Sequence, residues 1–403
     1  MTRTLVVLFV VTVALAGAVV VRAVVPAPQE VQPRQPAVPD AADVHVRNGV
    51  TCEACHGTPL AGSSATAPIY APIARTAIAP LCARCHADAA YMRQFAPQVR
   101  VDQYAQYQTS VHGQQMAKGE TRVATCSDCH SAHGVLHVRD TRSPVAPANV
   151  AGTCARCHAD ADLMTPFDRS PEAFSDWKGS VHAAALLERG DLSAPTCSTC
   201  HGSHGATPPG VDTVANVCAQ CHVREAELFR ASPKQPVFAA MELADCLVCH
   251  NNHAIERPDD SWIGFESPAV CAICHDETTN GANVIRSVGD GLRALRRDTD
   301  EAVSLVARAE EAGVLVEDGH LALASAREAH VRLRVLVHAF AAPPFDEVLA
   351  EGRTAVEAAR AAGTAGLDEL DFRRTGLAIA TLFILGFLVT LYIKIRRLPP
   401  ITN

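Results

Sequence analysis

The stretch TCSDCHSAHG at positions 125–134 returns with few changes as TCSTCHGSHG at positions 196–205. Each copy holds two cysteines separated by two residues, a histidine directly after them, and another histidine three positions later. The shared pattern, Cys-x-x-Cys-His, occurs eight times in the 403 residues and uses all sixteen cysteines, so none remains for an ordinary disulfide. The eight cysteine pairs are Cys52 and Cys55, Cys82 and Cys85, Cys126 and Cys129, Cys154 and Cys157, Cys197 and Cys200, Cys218 and Cys221, Cys246 and Cys249, and Cys271 and Cys274.

The pattern Cys-x-x-Cys-His is the attachment signature of c-type haem. Two thiols at this spacing form thioethers with the vinyl groups of one porphyrin, and the next histidine becomes the proximal iron ligand. Zinc sites also use Cys-x-x-Cys pairs, but zinc gives no reason for a histidine at the same offset after every pair. The sequence therefore predicts eight covalently bound haem c groups, with the proximal ligands His56, His86, His130, His158, His201, His222, His250 and His275.

The composition agrees with a domain whose interior is filled by cofactors. Aromatic residues make up only 5% of the chain, and the eight motifs share the segment from 45 to 275. The few residues that this segment provides for each motif cannot bury much apolar protein surface without a cofactor. The net charge of −8 and the pI near 6.1 argue against a nucleic-acid partner.

Five further histidines recur in a pattern that predicts distal iron ligands. A histidine three residues after a proximal one cannot easily reach the same iron, so His133, His204 and His253 are predicted to bind neighbouring haems. The segments SVHG (110–113) and SVHA (180–183) place His112 and His182 at nearly the same distance before the two doubled motifs. These two histidines are predicted to be distal ligands that are delivered from upstream segments.

Three more distal ligands are needed if all eight irons are six-coordinate. His45 stands just before the first motif, and His330 and His338 lie in the helical region near the C-terminus. We predict these three as ligands, with asparagine or methionine ligation, or an open site, as the alternatives. Met92 and Met164 recur at matching positions and could bind iron, although core packing is the commoner role of methionine.

The N-terminal segment 1–23 has the features of an export signal. An arginine precedes a long apolar run, and small residues follow it. The length of the run leaves an uncleaved membrane anchor open. The proline-rich segment 24–44 is predicted to be a linker, and the cysteine-rich region that follows is exported in either case.

The C-terminal part changes in character after the haem domain, which is predicted to span 45–282. Apolar residues at alternating spacings of three and four predict a small antiparallel helical bundle over 283–372, with breaks at Gly313 and at Pro343-Pro344. Its third helix is expected from Phe345 to Ala362. Residues 375–393 carry no charge and predict a transmembrane helix rather than a buried core helix. Because the haem domain is exported, the tail 394–403 should be cytoplasmic.

The eight motifs, the SVHG and SVHA segments, and the stretches CHSAHG and CHGSHG together resemble the multihaem c-type cytochromes with doubled motifs. The resemblance covers roughly 45–275 and implies a periplasmic or membrane-tethered electron carrier linked to the quinone pool or to respiratory reductases. The C-terminal segment from EAHVRL to IKIRRL looks like the bundle-plus-anchor ending of membrane-bound octahaem members. The expected fold is mostly α with much irregular structure: a haem-packed cytochrome domain, a small bundle and a C-terminal transmembrane helix.

The expected function is electron transfer at the bacterial inner membrane, with the haem domain in the periplasm. The electron donor would be the quinone pool or an integral membrane quinol dehydrogenase, and the acceptor a periplasmic redox protein. The alternative is a reductase of nitrite, hydroxylamine or a sulfur oxyanion that acts at one open-site haem. Octahaem enzymes resemble this chain in haem count but typically keep one haem with an unusual ligand or an open face, whereas all eight motifs here end in histidine.

Overall fold

The computed structural model describes residues 41–64, 68–95, 97–205 and 210–397. The predicted export signal at 1–23, nearly all of the predicted linker and the last six residues of the predicted tail lie outside this part of the chain. No β-strand occurs in the described ranges, and the prediction of a mostly α fold is confirmed.

The motif region is built from short helices that are joined by turns and irregular segments. Its α-helices are α1 (Val44–Arg47), α2 (Cys52–His56), α3 (Arg75–His86), α4 (Ala89–Met92), α5 (Gln103–Thr109), α6 (Val111–Ala117), α7 (Cys126–His130), α8 (Pro147–His158), α9 (Ala161–Met164), α10 (Ala173–Lys178), α11 (Val181–Leu187), α12 (Cys197–His201), α13 (Val223–Ala231), α14 (Gln235–Ala240) and α15 (Leu247–His250). Single-turn or short 3₁₀ helices cover Thr165–Phe167, Val214–Gln220, Asp260–Trp262 and Val270–Ile273.

The odd-numbered motifs share a local structure that explains the doubled histidines. In α7, a capping box between Thr125 and Asp128 begins the helix at the first cysteine of the motif. The helix ends at His130 because Ser131 adopts a positive φ of 70°. Gly57, Gly202 and Asn251 adopt a positive φ directly after the histidines of the other odd motifs. The turn redirects the chain at once, so the histidine three residues later points away from its own motif.

Protein side chains supply little of the interior in the motif region. The buried apolar cluster identified there in the described ranges consists of Trp177, Leu186 and the three alanines Ala151, Ala183 and Ala194. The C-terminal bundle has a far larger core, which includes Leu292, Leu295, Val306, Leu333, Phe345 and Val356. This contrast is expected if cofactors fill the first region and side chains fill the second.

The bundle consists of α16 (Ala282–Glu311), α17 (Glu317–Leu336) and α18 (Ala342–Arg396), with a 3₁₀ turn at Val337–Ala339. The helices break where the sequence predicts: Gly313 adopts a φ of 80° after α16, and the proline pair opens α18. The prediction that the third helix ends near Ala362 is wrong, because α18 continues without interruption into the apolar segment. Gly363, within α18, allows this helix to pack closely against α16, because an added Cβ there would come within 3.0 Å of the Leu305 backbone.

The last part of α18 is long and apolar enough to cross a membrane. Its large side chains are exposed throughout 377–395; Phe383, for example, is 76% exposed. A core helix of a soluble protein would bury these side chains, so the exposure supports reading this segment as a candidate membrane span.

Asp260 joins the motif region to the bundle. Its carboxylate is buried and contacts Arg334 Nη2 at 2.8 Å and His330 Nε2 at 3.1 Å, both of which lie on α17. From α16, Arg293 donates a hydrogen bond to the carbonyl of Ile263 at 2.9 Å, close to the same junction. These contacts fix the end of the bundle that carries His338 against the last two motifs.

Candidate functional site

Seven of the eight motif histidines face a histidine from outside the motifs. The ring centroids of the seven pairs are separated by 5.8 to 6.4 Å. The pairs, with the motif histidine first, are His56 and His133, His86 and His45, His130 and His204, His158 and His112, His201 and His253, His222 and His182, and His250 and His338.

The spacing of these pairs fits an iron ion between the two rings. Two metal–imidazole bonds of about 2 Å each, plus the distance from each nitrogen to its own ring centre, give a centroid separation of about 6 Å. Aromatic rings in direct contact can have a similar spacing. Direct contact does not, however, explain why each of the seven pairs joins one motif histidine to one histidine outside the motifs.

Burial and hydrogen bonding prepare these imidazoles for metal binding. Burial lowers the pKa of nine of them, which favours the neutral form that binds metals; these are His86, His112, His130, His158, His182, His201, His204, His250 and His275. The Nδ1 atom of His338 donates to the carbonyl of Val335 at 3.0 Å, which leaves Nε2 as the free nitrogen. In the described ranges, the Nδ1 atom of His56 is buried and has no hydrogen-bond partner.

The odd-numbered motifs are connected as a ladder. The second histidine of each doubled motif faces the odd motif that precedes it, so His133 reaches the first motif, His204 the third and His253 the fifth. The ladder ends at His338, which reaches the seventh motif from the bundle. Each doubled histidine therefore lies beside a neighbouring motif histidine and not beside its own.

Three even-numbered motifs receive their partner from an upstream segment with a buried polar cap. His45, His112 and His182 each lie two residues after such a cap, and these caps are Asp43, Ser110 and Ser180. In each case the side chain of the cap accepts a backbone hydrogen bond from the first turn of the helix that carries the histidine. The cap therefore sets the direction in which the histidine leaves its helix.

Arginines of the two CARCH motifs tie neighbouring motifs together. Arg84 donates to the carbonyl of Ala54 at 2.9 Å, and Arg156 donates to the carbonyl of Asp128. Both acceptors occupy the third position of the preceding motif. The repeated contact supports a two-motif module as the structural unit.

Thiol contacts join one module to the next. Three pairs of cysteines from consecutive motifs lie side by side, so the haems attached to them would be neighbours. The pairs are Cys82 and Cys126, Cys154 and Cys197, and Cys218 and Cys246. The second, fourth and sixth motifs therefore each lie beside the motif that follows.

His330 does not join this set of facing histidines. Its Nε2 atom contacts Asp260 Oδ2 at 3.1 Å, so its ring serves the junction with the bundle rather than a motif histidine. Its position on the α17 seam made it a candidate, but the same seam position suits a buried ion pair. His338, only two turns further on, is the histidine that reaches a motif.

The eighth motif has a partner that the search for histidines missed. The Nε2 atom of His275 lies 2.5 Å from Lys234 Nζ, and its Nδ1 atom lies 3.2 Å from Thr279 Oγ1. A signal for Lys234 was present in the sequence, because Ser232-Pro233-Lys234 has the same form as the SVH segments. Lys234 is found only when the third position of these segments is compared for residues other than histidine.

Comparison with known proteins agrees with this arrangement. The family model for cytochrome c3 matches residues 44–159 and 191–276, which together make up half of the chain and contain all eight motifs. No curated protein and no solved structure matches the chain. The matched segments contain the motif histidines and five of the seven histidines that face them. The chain belongs to the cytochrome c3 family and is a multihaem electron-transfer protein that holds haem c covalently.

Proposed function

We propose that the protein is an octahaem electron carrier of the bacterial inner membrane that connects the quinone pool with periplasmic redox proteins. The observation that carries the proposal is that every motif histidine faces a second nitrogen donor. Such an arrangement leaves no coordination position for a substrate, which suits electron transfer better than catalysis.

The proposed cofactor set assigns each pair of cysteines to one haem c and each motif histidine to its proximal side. The facing histidines His45, His112, His133, His182, His204, His253 and His338 would be the distal ligands. When bound, haem c supplies one-electron redox chemistry, at lower potential with two histidines than with histidine and methionine. Among the facing histidines, burial lowers the pKa of His112, His182 and His204, which favours their neutral form. Buried caps orient His45, His112 and His182.

The membrane assignment rests on α18 and on the chemistry of attachment. Arg373 and Arg374 precede the exposed apolar end of α18, and Lys394, Arg396 and Arg397 follow it, so the orientation rests on haem attachment rather than on the flanking charges. Haem attachment takes place outside the cytoplasm in bacteria, so the motif region would lie in the periplasm. The electron donor would be quinol itself or a membrane protein that oxidises quinol.

Intact-mass spectrometry of the mature protein is expected to show the added mass of eight haems. The ferric protein should be entirely low-spin, and nitrite or hydroxylamine should leave its Soret spectrum unchanged because no iron has a free position. In membrane vesicles, a quinol should reduce the haems in the presence of its oxidising partner.

The reductase alternative has one observation in its favour, namely that His275 faces a lysine and not a histidine. A high-spin haem in the unmodified protein that binds nitrite would favour this alternative and contradict the carrier proposal. A mature chain with fewer than eight haems would contradict the proposed cofactor set, whatever the spin state.

Replacement of His182 with alanine is expected to convert one haem to a high-spin or differently ligated form while all eight remain attached. His182 faces His222 from outside the motif, so without it the two thioethers and His222 would still hold that haem. Electron paramagnetic resonance of the ferric variant checks the spin state, and intact mass checks the haem number. The same change at His137, which faces no motif histidine and binds the Arg139 backbone, is the control. An unchanged spectrum for His182→Ala would remove this residue from the ligand set.

A further inference from the structure

We propose that Lys234 is the sixth iron ligand at the eighth motif, opposite His275, which makes this haem chemically different from the other seven. The inference rests on the proposed octahaem function. Lys234 Nζ lies 2.5 Å from His275 Nε2 on the side of the ring where an iron would bind. The contact of His275 Nδ1 with Thr279 Oγ1 at 3.2 Å leaves Nε2 as the metal-binding atom.

An iron between the two nitrogens requires that they lie about 4 Å apart, with two metal–nitrogen bonds of about 2 Å. Lysine meets this need because its amine sits on a flexible four-carbon stem. The backbone of Lys234 is fixed, since its N–H donates to Ser232 Oγ at 3.2 Å. The amine can therefore move away from His275 to the separation that an iron requires while the backbone keeps its place.

The register of the repeats places Lys234 where the other modules have their upstream histidine. His45, His112 and His182 precede the motif histidines that they face by 41, 46 and 40 residues. Lys234 precedes His275 by 41 residues. The offset thus assigns Lys234 and the three histidines to one repeated structural role.

The local structure around Lys234 is the same as around two of these histidines. His112, His182 and Lys234 each lie two residues after a buried serine, and these serines are Ser110, Ser180 and Ser232. The N–H of each serine donates to the carbonyl of an aromatic residue three positions earlier, at 2.9 to 3.0 Å. These aromatic residues are Tyr107, Trp177 and Phe229. The repeated aromatic, serine and ligand positions indicate that the fold presents Lys234 as it presents the histidines.

A second repeated contact connects the two distal segments of one module. The N–H of Val44, which precedes His45, donates a hydrogen bond to the carbonyl of Val135, two residues beyond His133. Val181, which precedes His182, bonds in the same way to Ile255, two residues beyond His253.

In the last module, the residue two positions beyond His338 is Phe340, and Lys234 Nζ lies 5.8 Å from its ring centroid. Pro233 occupies the position of the two valines and has no N–H to donate. An aromatic contact thus takes the place of the hydrogen bond, and Lys234 keeps its position relative to the neighbouring distal segment.

The composition of the chain supports a specific need for lysine at this position. The chain has four lysines and thirty-one arginines. Guanidinium stays protonated in proteins and offers no lone pair, whereas a lysine amine binds iron through its nitrogen after it releases a proton to solvent. In the described ranges, no carboxylate forms an ion pair with Lys234. Its nearest polar partner is the ring of His275.

The test compares Lys234→Arg, which keeps the charge but cannot bind iron, with Lys234→His, which copies the other modules. In the unmodified ferric protein, near-infrared magnetic circular dichroism should show one amine-ligated haem and seven bis-histidine haems. Lys234→Arg should convert one eighth of the haem to high-spin, and added imidazole should restore the low-spin state. Lys234→His should stay fully low-spin but lose the amine signature. Lys118→Arg, at an exposed lysine that follows α6, should match the unmodified protein.

The proposal is overturned if Lys234→Arg leaves the low-spin spectrum unchanged, because another group would then be the ligand. It is equally overturned if the unmodified protein already contains the high-spin haem. Both of these outcomes count only for protein that carries eight attached haems by intact mass. A chain with fewer haems would contradict the proposed function itself, so the two failures are distinguishable.

Discussion

Replacement of Cys126 and Cys129 together by serine is expected to abolish accumulation of the folded protein, and not merely to remove one haem. The third motif lies in the interior of the array, where Cys126 contacts Cys82 and His130 faces His204. Native domains are stable by only about 5–15 kcal/mol. The loss of a cofactor that fills an interior position therefore exceeds what the small protein core can compensate.

The matched control is the double replacement of Cys52 and Cys55 at the first motif. Both cysteines are exposed, and the motif lies at one end of the array. This variant should lose one haem by intact mass and still accumulate in the membrane fraction. Haem staining of membranes and limited proteolysis measure both variants. Equal amounts of seven-haem protein from the two variants would contradict the view that haems form the interior.

Replacement of Asp260 by alanine is expected to destabilise the junction between the motif region and the bundle by about 3 kcal/mol. This is the low end of the loss on breaking a buried ion pair, because Arg334 keeps some access to water. Asp260 itself is only 3% exposed and also contacts His330 and Arg296, so its removal leaves three partners without their shared acceptor. Because the junction places His338 opposite His250, the seventh haem should also show weakened distal ligation.

Thermal unfolding of the detergent-solubilised protein measures the loss of stability, and ferric-haem spectroscopy measures the loss of ligation. Glu351→Gln is the control, since Glu351 is exposed, lies in the bundle and pairs with Arg332 at 2.7 Å. An exposed pair of this kind contributes about 1 kcal/mol or less. If the two variants unfold at the same temperature, Asp260 does not hold the two regions together.

The sequence was most informative where chemistry requires a fixed local spacing. Both thiols and the proximal histidine belong to five consecutive residues, so all eight sites could be predicted without knowledge of the fold. The geometry also agrees with the outward direction of His133 and His204, because the turn that follows each proximal histidine is local. Gly313 and the proline pair marked helix ends for the same reason.

The sequence was least informative where long-range packing decides. His330 and His338 both lie near the end of α17, and only the docking of the bundle shows that one binds Asp260 and the other faces His250. The third helix was expected to end near Ala362, but α18 continues through Gly363, which lies in close contact with α16. Lys234 was missed because the pattern was defined by residue type rather than by position in the repeat.

If the apolar end of α18 spans the membrane, as proposed, the uninterrupted helix would hold the motif region away from the lipid. The helix meets the last motifs at Ala342 and becomes apolar near Thr375, a rise of about 50 Å at 1.5 Å per residue. Since tunnelling rates fall exponentially with distance, this spacing would favour a membrane protein that oxidises quinol over quinol itself as the electron donor. In that arrangement, α18 would hold the haem array at a distance from the membrane, towards the middle of the periplasm. A second protein would then deliver electrons to the haem array, and diffusing partners would meet the array at a distance from the membrane surface.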